Sequence, residues 1–454
     1  MAAASLPLYL FTFNCGRDLI NPQAIATNFF STLDPAAPPP EIVAIGLQEI
    51  APISYSFLGG DFLTPYLDRW SSVPHLASQL LHKQDPKFPP EYVEIGRSYV
   101  GMTALLLFSS RPEKVKSLRF TGVGFGVAGM GNKGAVAARF THIEDNGYGD
   151  TGGVDVTIVT AHLAAHEHCC ADRNRDWETL ARGLVFDSPI SNPSEATPLL
   201  QDSAPDSSSA SSPASGIYAP NTHLFVLGDL NYRVSHTAPT PSDYRLFPKQ
   251  PSDLSEYFAR DQLTTERKAG HTLHGLTEAP INFSPTYKYP EIRLPRTASP
   301  TTPNLESNKL EPNQPLLPTS ALFAYAPHRW PSWCDRILWL PLPDTPSRKG
   351  NDITIHRYSS IPTILHSDHR PVTLHVSLPG IPSSSRETNS KDDLRQYPPF
   401  PLDANWRSSR AAAVSREWIV GYAILMVTTT GGVALVTCAV VGVGMLWWTM
   451  VGCA

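Results

Sequence analysis

No two of the six cysteines stand at zinc-knuckle spacing; Cys15, Cys169, Cys170, Cys334, Cys438 and Cys453 are scattered over 454 residues. That scatter speaks against a disulfide framework and fits a reducing compartment for the soluble part. Positive charge is not in excess either. The formal net charge of −5 argues against a partner such as nucleic acid gripped through a broad basic face, although it is compatible with a local basic pocket. Met1 to Arg17 carry no basic n-region and no clear small-residue cleavage site, so Leu6–Phe13 reads as a first β-strand rather than as a signal peptide. Internal repeats are missing as well. Finally, between Trp418 and Ala454 there is not one charged residue.

That last absence is informative. About 20 apolar residues suffice to cross a bilayer as a helix, and Trp418–Ala454 is longer than this, with Trp418 and Trp447–Trp448 placed as interfacial aromatics. Arg407, Arg410 and Arg416 precede it, which puts the preceding domain on the cytosolic side. The expectation is one C-terminal transmembrane helix, a tail anchor over residues 418–454. Proline, by contrast, is abundant at 44 residues. The stretches Phe186–Ser215, Pro295–Pro318 and Gly380–Pro401 are rich in Ser, Pro, Thr or Asn, and cannot bury enough apolar surface to offset their ordering entropy. The first two read as inserts in a catalytic domain over residues 1–379, and residues 380–417 as a disordered linker.

Between the inserts, short apolar or β-branched runs predict strands at Leu6–Phe13, Ile42–Gln48, Ala104–Phe108, Ala135–Phe140, Val154–Thr160, His223–Leu227, Asp335–Leu340 and Val372–Val376. Helices are expected at Pro22–Leu33, Thr64–His82, Arg173–Val185 and Asp243–Phe247. Many buried strands with helices between them point to an α/β sandwich, two sheets face to face with helices outside.

The polar residues of interest sit at the ends of those strands: Asn14, Glu49, His162, Asp229 with Asn231, and Asp368 with His369. A carboxylate with few other protein ligands suits Mg²⁺, which keeps several waters, and Glu49 with Asn14 nearby is the best such pair. In Asp229-Leu230-Asn231 both polar side chains fall on one face if the segment is extended. Asp229 is then placed to take a proton from water, while Asn231 holds that water or a phosphate oxygen. His369, preceded by Asp368, and His162 are suited to stabilising charge that develops on phosphorus. Each residue alone has a duller reading, as a turn, a solvated strand end or a core histidine; the set carries the argument.

Longer motifs give the set a context. Gly46-Leu47-Gln48-Glu49, Gly131-Asn132-Lys133-Gly134-Ala135-Val136 and Thr160-Ala161-His162-Leu163 come first. Gly228-Asp229-Leu230-Asn231-Tyr232-Arg233, Ser284-Pro285-Thr286-Tyr287-Lys288-Tyr289, Pro331-Ser332-Trp333-Cys334-Asp335-Arg336-Ile337-Leu338 and Ser367-Asp368-His369-Arg370-Pro371-Val372 follow. In kind and order these resemble the inositol polyphosphate 5-phosphatases, a branch of the endonuclease/exonuclease/phosphatase superfamily. The resemblance implies a DNase I-like, four-layered sandwich. It also implies Mg²⁺-dependent removal of the 5-phosphate of phosphatidylinositol 4,5-bisphosphate, a phosphoinositide lipid in the membrane. By this resemblance Glu49, with Asn14, binds the metal, Asp229 aligns or deprotonates the water, and Asn231 neighbours it. His369 and His162 flank the phosphate, Asp335 orients His369, and Tyr287, Lys288 and Arg336 recognise the adjacent 4-phosphate. The simple layout is similar to the fungal endoplasmic-reticulum type, and by analogy suggests that organelle.

Two distractors are set aside. Gly124-Phe125-Gly126-Val127-Ala128-Gly129 fits GxGxxG, but a strand follows where a dinucleotide site needs a helix; it reads as a flexible turn near the membrane, with Asn132 and Lys133 available to lipid head groups. His166-Glu167-His168-Cys169-Cys170 lacks a second ligand cluster for zinc and reads as the entry to a helix. The competing functions are a metal-dependent nuclease or phosphodiesterase of the same superfamily, and a catalytically inactive phosphoinositide-binding membrane tether.

Overall fold

A computed structural model describes residues 5–143, 153–187, 214–290, 322–342, 352–379 and 393–452. In chain order its strands are β1 (Ser5–Asn14), β2 (Ile42–Gln48), β3 (Val93–Val100), β4 (Thr103–Ser109), β5 (Val115–Gly124) and β6 (Gly134–Ile143). They continue with β7 (Gly153–His162), β8 (Thr222–Asp229), β9 (Asp335–Trp339), β10 (Thr354–Ser360) and β11 (Val372–Pro379). The helices are α1 (Pro22–Phe29), α2 (Ile53–Leu58), α3 (Gly60–Gln84), α4 (Cys170–Gly183), α5 (Leu254–Phe258), α6 (Gln262–Lys268), α7 (Trp406–Thr428) and α8 (Thr430–Gly452).

Two mixed sheets result, in the orders β10-β11-β1-β2-β4-β3 and β5-β6-β7-β8-β9. Strand periodicity separates three apolar layers. Along β1, Leu6, Leu8 and Leu10 face the second sheet, packing with Ile158, Phe225 and Leu227. The alternate residues Tyr9, Phe11 and Phe13 face outward, onto Phe29 of α1 and Trp70 of α3. The outer face of the second sheet carries Ala137, Val159 and Val226 against Trp177 and Leu180 of α4. Helix, sheet, sheet and helix thus stack as the expected four-layered, DNase I-like sandwich.

All eight expected strands form. The three that sequence reading passed over, β3, β5 and β10, are sheet edges. Their half-exposed faces admit Glu94, Arg97, Lys116, Arg119 and Arg357, so they never read as apolar runs. The expected helix Asp243–Phe247 is a 3₁₀ run, Pro241–Leu246. Of the two inserts, residues 188–213 and 295–318 lie outside the described residues, while Phe186 and Ser215 pair in an isolated bridge.

The C-terminal region differs in detail from those expectations. Residues 393–403 are not a free linker: Arg395, 4% exposed, donates to the carbonyls of Thr222, Leu340 and Pro341 at 2.9–3.0 Å. A guanidinium buried with its donors satisfied ties that stretch to the end of the second sheet. Helix α7 then starts at Trp406, inside the expected linker. The single expected span is divided at Thr429, where φ −105° and ψ 147° leave the helix and the Thr429 hydroxyl oxygen accepts from Gly432 N at 3.1 Å, capping α8. Both α7 and α8 are long and apolar enough to cross a membrane by length and composition.

Candidate active site

Two parallel strand pairs, one in each sheet, end at the same rim. In the first sheet β1 runs beside β2 with Asn14 opposite Gln48, and Glu49 follows. In the second, β7 runs beside β8 with His162 opposite Asp229, and Asp229 also faces Asp335 at the start of antiparallel β9. The sheets approach closely just beneath. A Cβ added to Gly46 would lie 2.5 Å from Thr160 Oγ1, and Gln48 Nε2 donates to that hydroxyl at 2.9 Å. Glycine at position 46 is what lets the carboxyl ends of β2 and β7 meet.

The strand-end side chains converge there. Asn14 Nδ2 donates to Asp229 Oδ2 at 2.9 Å, bridging the sheets. His162 Nε2 lies 3.4 Å from Asp229 Oδ2 and 4.0 Å from Glu49 Oε1. His369 Nε2 stands 3.8 Å from Asp229 Oδ2, and its Nδ1 donates to Asp335 Oδ2 at 2.8 Å. The Thr286 hydroxyl donates to the same oxygen at 2.7 Å, so the His369 ring is held from behind. Tyr287 leans over that ring at a centroid distance of 4.7 Å. Lys288 Nζ donates to Asp368 Oδ2 at 2.7 Å on the same side. Glu49 and Asn231 both adopt left-handed backbone, φ 47° and 58°, a strain that non-glycine residues hold mainly where the surroundings over-determine it.

Charge is divided unevenly across this cluster. Burial works against the Asp229 anion, but His369, His162 and Lys133 hold its pKa far below the usual carboxylate range. Burial likewise opposes the His369 cation, yet Asp335 and Asp229 carry its pKa up to about 9. Burial and the neighbouring Lys133 push His162 down, toward the neutral imidazole. Glu49 stays ionised because His162, Arg17 and Lys133 outweigh its burial. The rim therefore holds one imidazolium, one neutral imidazole and at least two carboxylates within a few ångström. Asn132 Oδ1, His162 Nδ1 and Asp335 Oδ1 at this rim are among the buried polar atoms with no hydrogen-bond partner among the described residues, a condition uncommon in native interiors.

Ligand atoms of Asp229, Asp335 and His369 lie within 4.8 Å of one another, a group that could hold a metal ion. The oxygen set of Glu49 and Asn14 also fits a hard divalent cation. Glu49 is ionised and its side chain 20% exposed, with Oε2 bound by Arg17 Nε at 2.6 Å; the Arg17 side chain is itself 55% exposed.

Three assignments from sequence change. Arg336 is remote from the rim: adjacent strand residues point to opposite faces, and while Asp335 faces His369, Arg336 is fully buried against Glu278 (2.6 Å) and Asp261 (3.0 Å). Lys133 is not on an outward-facing turn. It is half-buried and donates to His162 Nε2, because Gly131 packs its backbone against Gly101 and turns the chain inward. Asn231 does not share an extended face with Asp229, since its left-handed backbone turns the amide toward the Leu163 carbonyl (3.1 Å) and Arg233; only its N–H serves Asp229, at 3.1 Å. Arg233 and Arg17 went unassigned in the sequence. Arg233 lies 4.2 Å from the Tyr287 ring centroid, and sat in plain view beside Asn231. Arg17 is paired with Glu49 only through the strand-end loops, which no local pattern announces.

Comparison with known proteins agrees with this fold. The family described as Endonuclease/Exonuclease/phosphatase family 2 matches residues 11–375. Relatives include Polyphosphatidylinositol phosphatase INP53 of Saccharomyces cerevisiae, 29% identical over 73% of this chain and 23% of that protein. Type II inositol 1,4,5-trisphosphate 5-phosphatase of Mus musculus is 27% identical over 80% of this chain and 29% of that protein. The chain thus spans less than a third of the length of either relative. Among solved structures, the inositol polyphosphate 5-phosphatase domain of SPsynaptojanin, in complex with inositol (1,4)-bisphosphate and calcium ion, has the same fold. It superposes with a TM-score of 0.51 at 20% identity, over 91% of this chain and 90% of that one. The chain belongs to the endonuclease/exonuclease/phosphatase family 2.

Proposed function

We propose that this protein is a Mg²⁺-dependent phosphoinositide 5-phosphatase that converts phosphatidylinositol 4,5-bisphosphate to phosphatidylinositol 4-phosphate at a cytosol-facing membrane, as the layout suggests for the endoplasmic reticulum. The observation that carries this reading is the convergence of Asp229, His162 and His369 at the rim where Asn14 and Glu49 end their strands. The names of the relatives, which are phosphatases of inositol phosphates or phosphoinositides, support it.

Each residue then has a task. Asp229, anionic and steadied by Asn14 and the Asn231 N–H, orients the attacking water and accepts its proton. His369, kept charged and fixed by Asp335, faces the phosphate oxygens and stabilises the charge that builds on them. His162 and Lys133 flank the opposite side. Glu49, with Asn14, would hold the divalent ion, which when bound neutralises charge at the phosphate. Lys288, half-buried and braced by Asp368, and Tyr287 are placed beside His369 to read a second phosphate on the ring. Helix α8, with no side chain of Thr430–Trp448 buried in the domain, is the membrane anchor.

Phosphate release from a panel of phosphoinositides in vesicles, with Mg²⁺ and with EDTA, tests this. Release from the 4,5-bisphosphate that EDTA abolishes is the expected result. No release from any inositol phosphate, or cleavage of abasic DNA instead, would sink it.

A further inference from the structure

Helix α7 is docked on the domain along one face. Ala413, Glu417 and Gly421, spaced four apart, are buried, whereas Trp418 and Ile419 between them are 51% and 71% exposed. Gly421 fits against Phe57 and Leu58 of α2; a Cβ there would lie 3.0 Å from Leu58 Cγ. One turn earlier, Glu417 is only 3% exposed. Its Oε1 accepts from Gly131 N at 2.7 Å, and Arg410 closes a two-pronged pair on it at 2.7 and 3.2 Å. Arg416 donates to the Ala128 carbonyl at 2.7 Å. An ion pair whose carboxylate is buried and seated on protein backbone is foreign to a bilayer interior, so α7 is a protein-packed helix as far as Gly421.

The loop that Glu417 grips is the one that delivers Lys133. Gly131 returns a carbonyl to Met102 N at 2.9 Å, and Phe125 N donates to the Lys133 carbonyl at 2.9 Å. Two residues beyond Gly131, Lys133 meets His162. We propose that Glu417 is a positioning residue for the reaction: by holding the Gly131 amide it sets the 124–133 loop, so α7 is part of the catalytic unit and not only a tether. This rests on the phosphatase reading for its kinetic arm, and stands apart from it in its structural arm.

The test uses the full chain in detergent micelles with a soluble inositol 1,4,5-trisphosphate substrate, which removes membrane recruitment from the comparison. Glu417→Ala, which loses a charge-assisted hydrogen bond, should lower kcat by about tenfold with little change in KM. Glu417→Gln, whose amide oxygen still accepts from Gly131 N, should recover most of that loss, and Ile419→Ala on the exposed face should match the wild type. Hydrogen exchange should quicken in Glu417→Ala at residues 124–134 while the amides of β1, β2, β7 and β8 keep their protection. Wild-type kcat and exchange in Glu417→Ala would overturn the proposal, as would a loss of protection spread through both sheets. A wild-type chain inactive on every inositol phosphate would defeat the phosphatase reading instead, and the exchange measurement would still decide whether Glu417 orders the loop.

Discussion

At the scale of single residues, charged side chains in neighbouring positions serve different ends. Asp335 and Arg336 are consecutive, yet one steadies His369 and the other closes a buried ion cluster with Asp261 and Glu278. Removing one member of such a cluster strands the others, which typically costs about 3–5 kcal/mol. Arg336→Met should therefore destabilise the fold by about that much in urea unfolding, while the ratio of kcat/KM for bisphosphate over monophosphate stays constant. Lys288→Ala should behave in the reverse manner, sparing stability and penalising 4,5-bisphosphate more than a 5-monophosphate; equal losses on both substrates would remove Lys288 from head-group recognition. Asp229→Ala should abolish turnover while the head group still binds, as read by calorimetry.

His369 ties the same site to stability. Its folded pKa of about 9 exceeds the ordinary histidine value of about 6.5. The folded state therefore binds the proton more tightly than the unfolded one. The resulting stabilisation is complete below about pH 6.5 and disappears as pH rises through about 9. Urea unfolding in EDTA should show a loss of about 3 kcal/mol across that window, and Asp335→Asn should flatten it. An unchanged pH profile in Asp335→Asn would show that the pair does not hold the proton.

At the scale of elements, the site is made by where strands stop. Asn14, Glu49, His162 and Asp229 are the last residues of, or the first beyond, strands that run parallel in pairs, and a parallel pair puts both carboxyl ends on one edge. The pairs face each other only because Gly46 allows it. Gly46→Ala should overpack the gap against Thr160 and cost about 1–3 kcal/mol, with part of the loss recovered in the Gly46→Ala/Thr160→Ala double variant. Thermal melts of the three proteins measure this; strict additivity of the two changes would mean that the sheets do not touch there. The buried strands were legible because burial on both faces leaves an unbroken apolar run. Edge strands β3, β5 and β10 were not, since a strand paired on one side keeps charges that look like loop.

At the scale of the whole molecule, the C-terminal apolar stretch stays packed on the domain further along the chain than composition suggests. Hydropathy rises from Trp418, but packing of α7 continues to Gly421 and the chain leaves the helix only at Thr429. Ending the chain after Thr428 should release it from membranes with activity on soluble substrate retained. Ending it before Trp406 should release it but lower activity, because Glu417 goes with it. Flotation on liposomes followed by the phosphate assay separates the two.

Local patterns alone determined the strand runs, the identity of the polar residues at their ends and the uncharged C-terminal stretch, because burial, periodicity and charge are written residue by residue. Only the tertiary structure decided that Arg336 points away from the strand-end rim, that Lys133 turns in to His162, and that Glu417 reaches back to Gly131. Those outcomes depend on which face of one element meets which face of another, and no window along the chain contains both sides of such a contact.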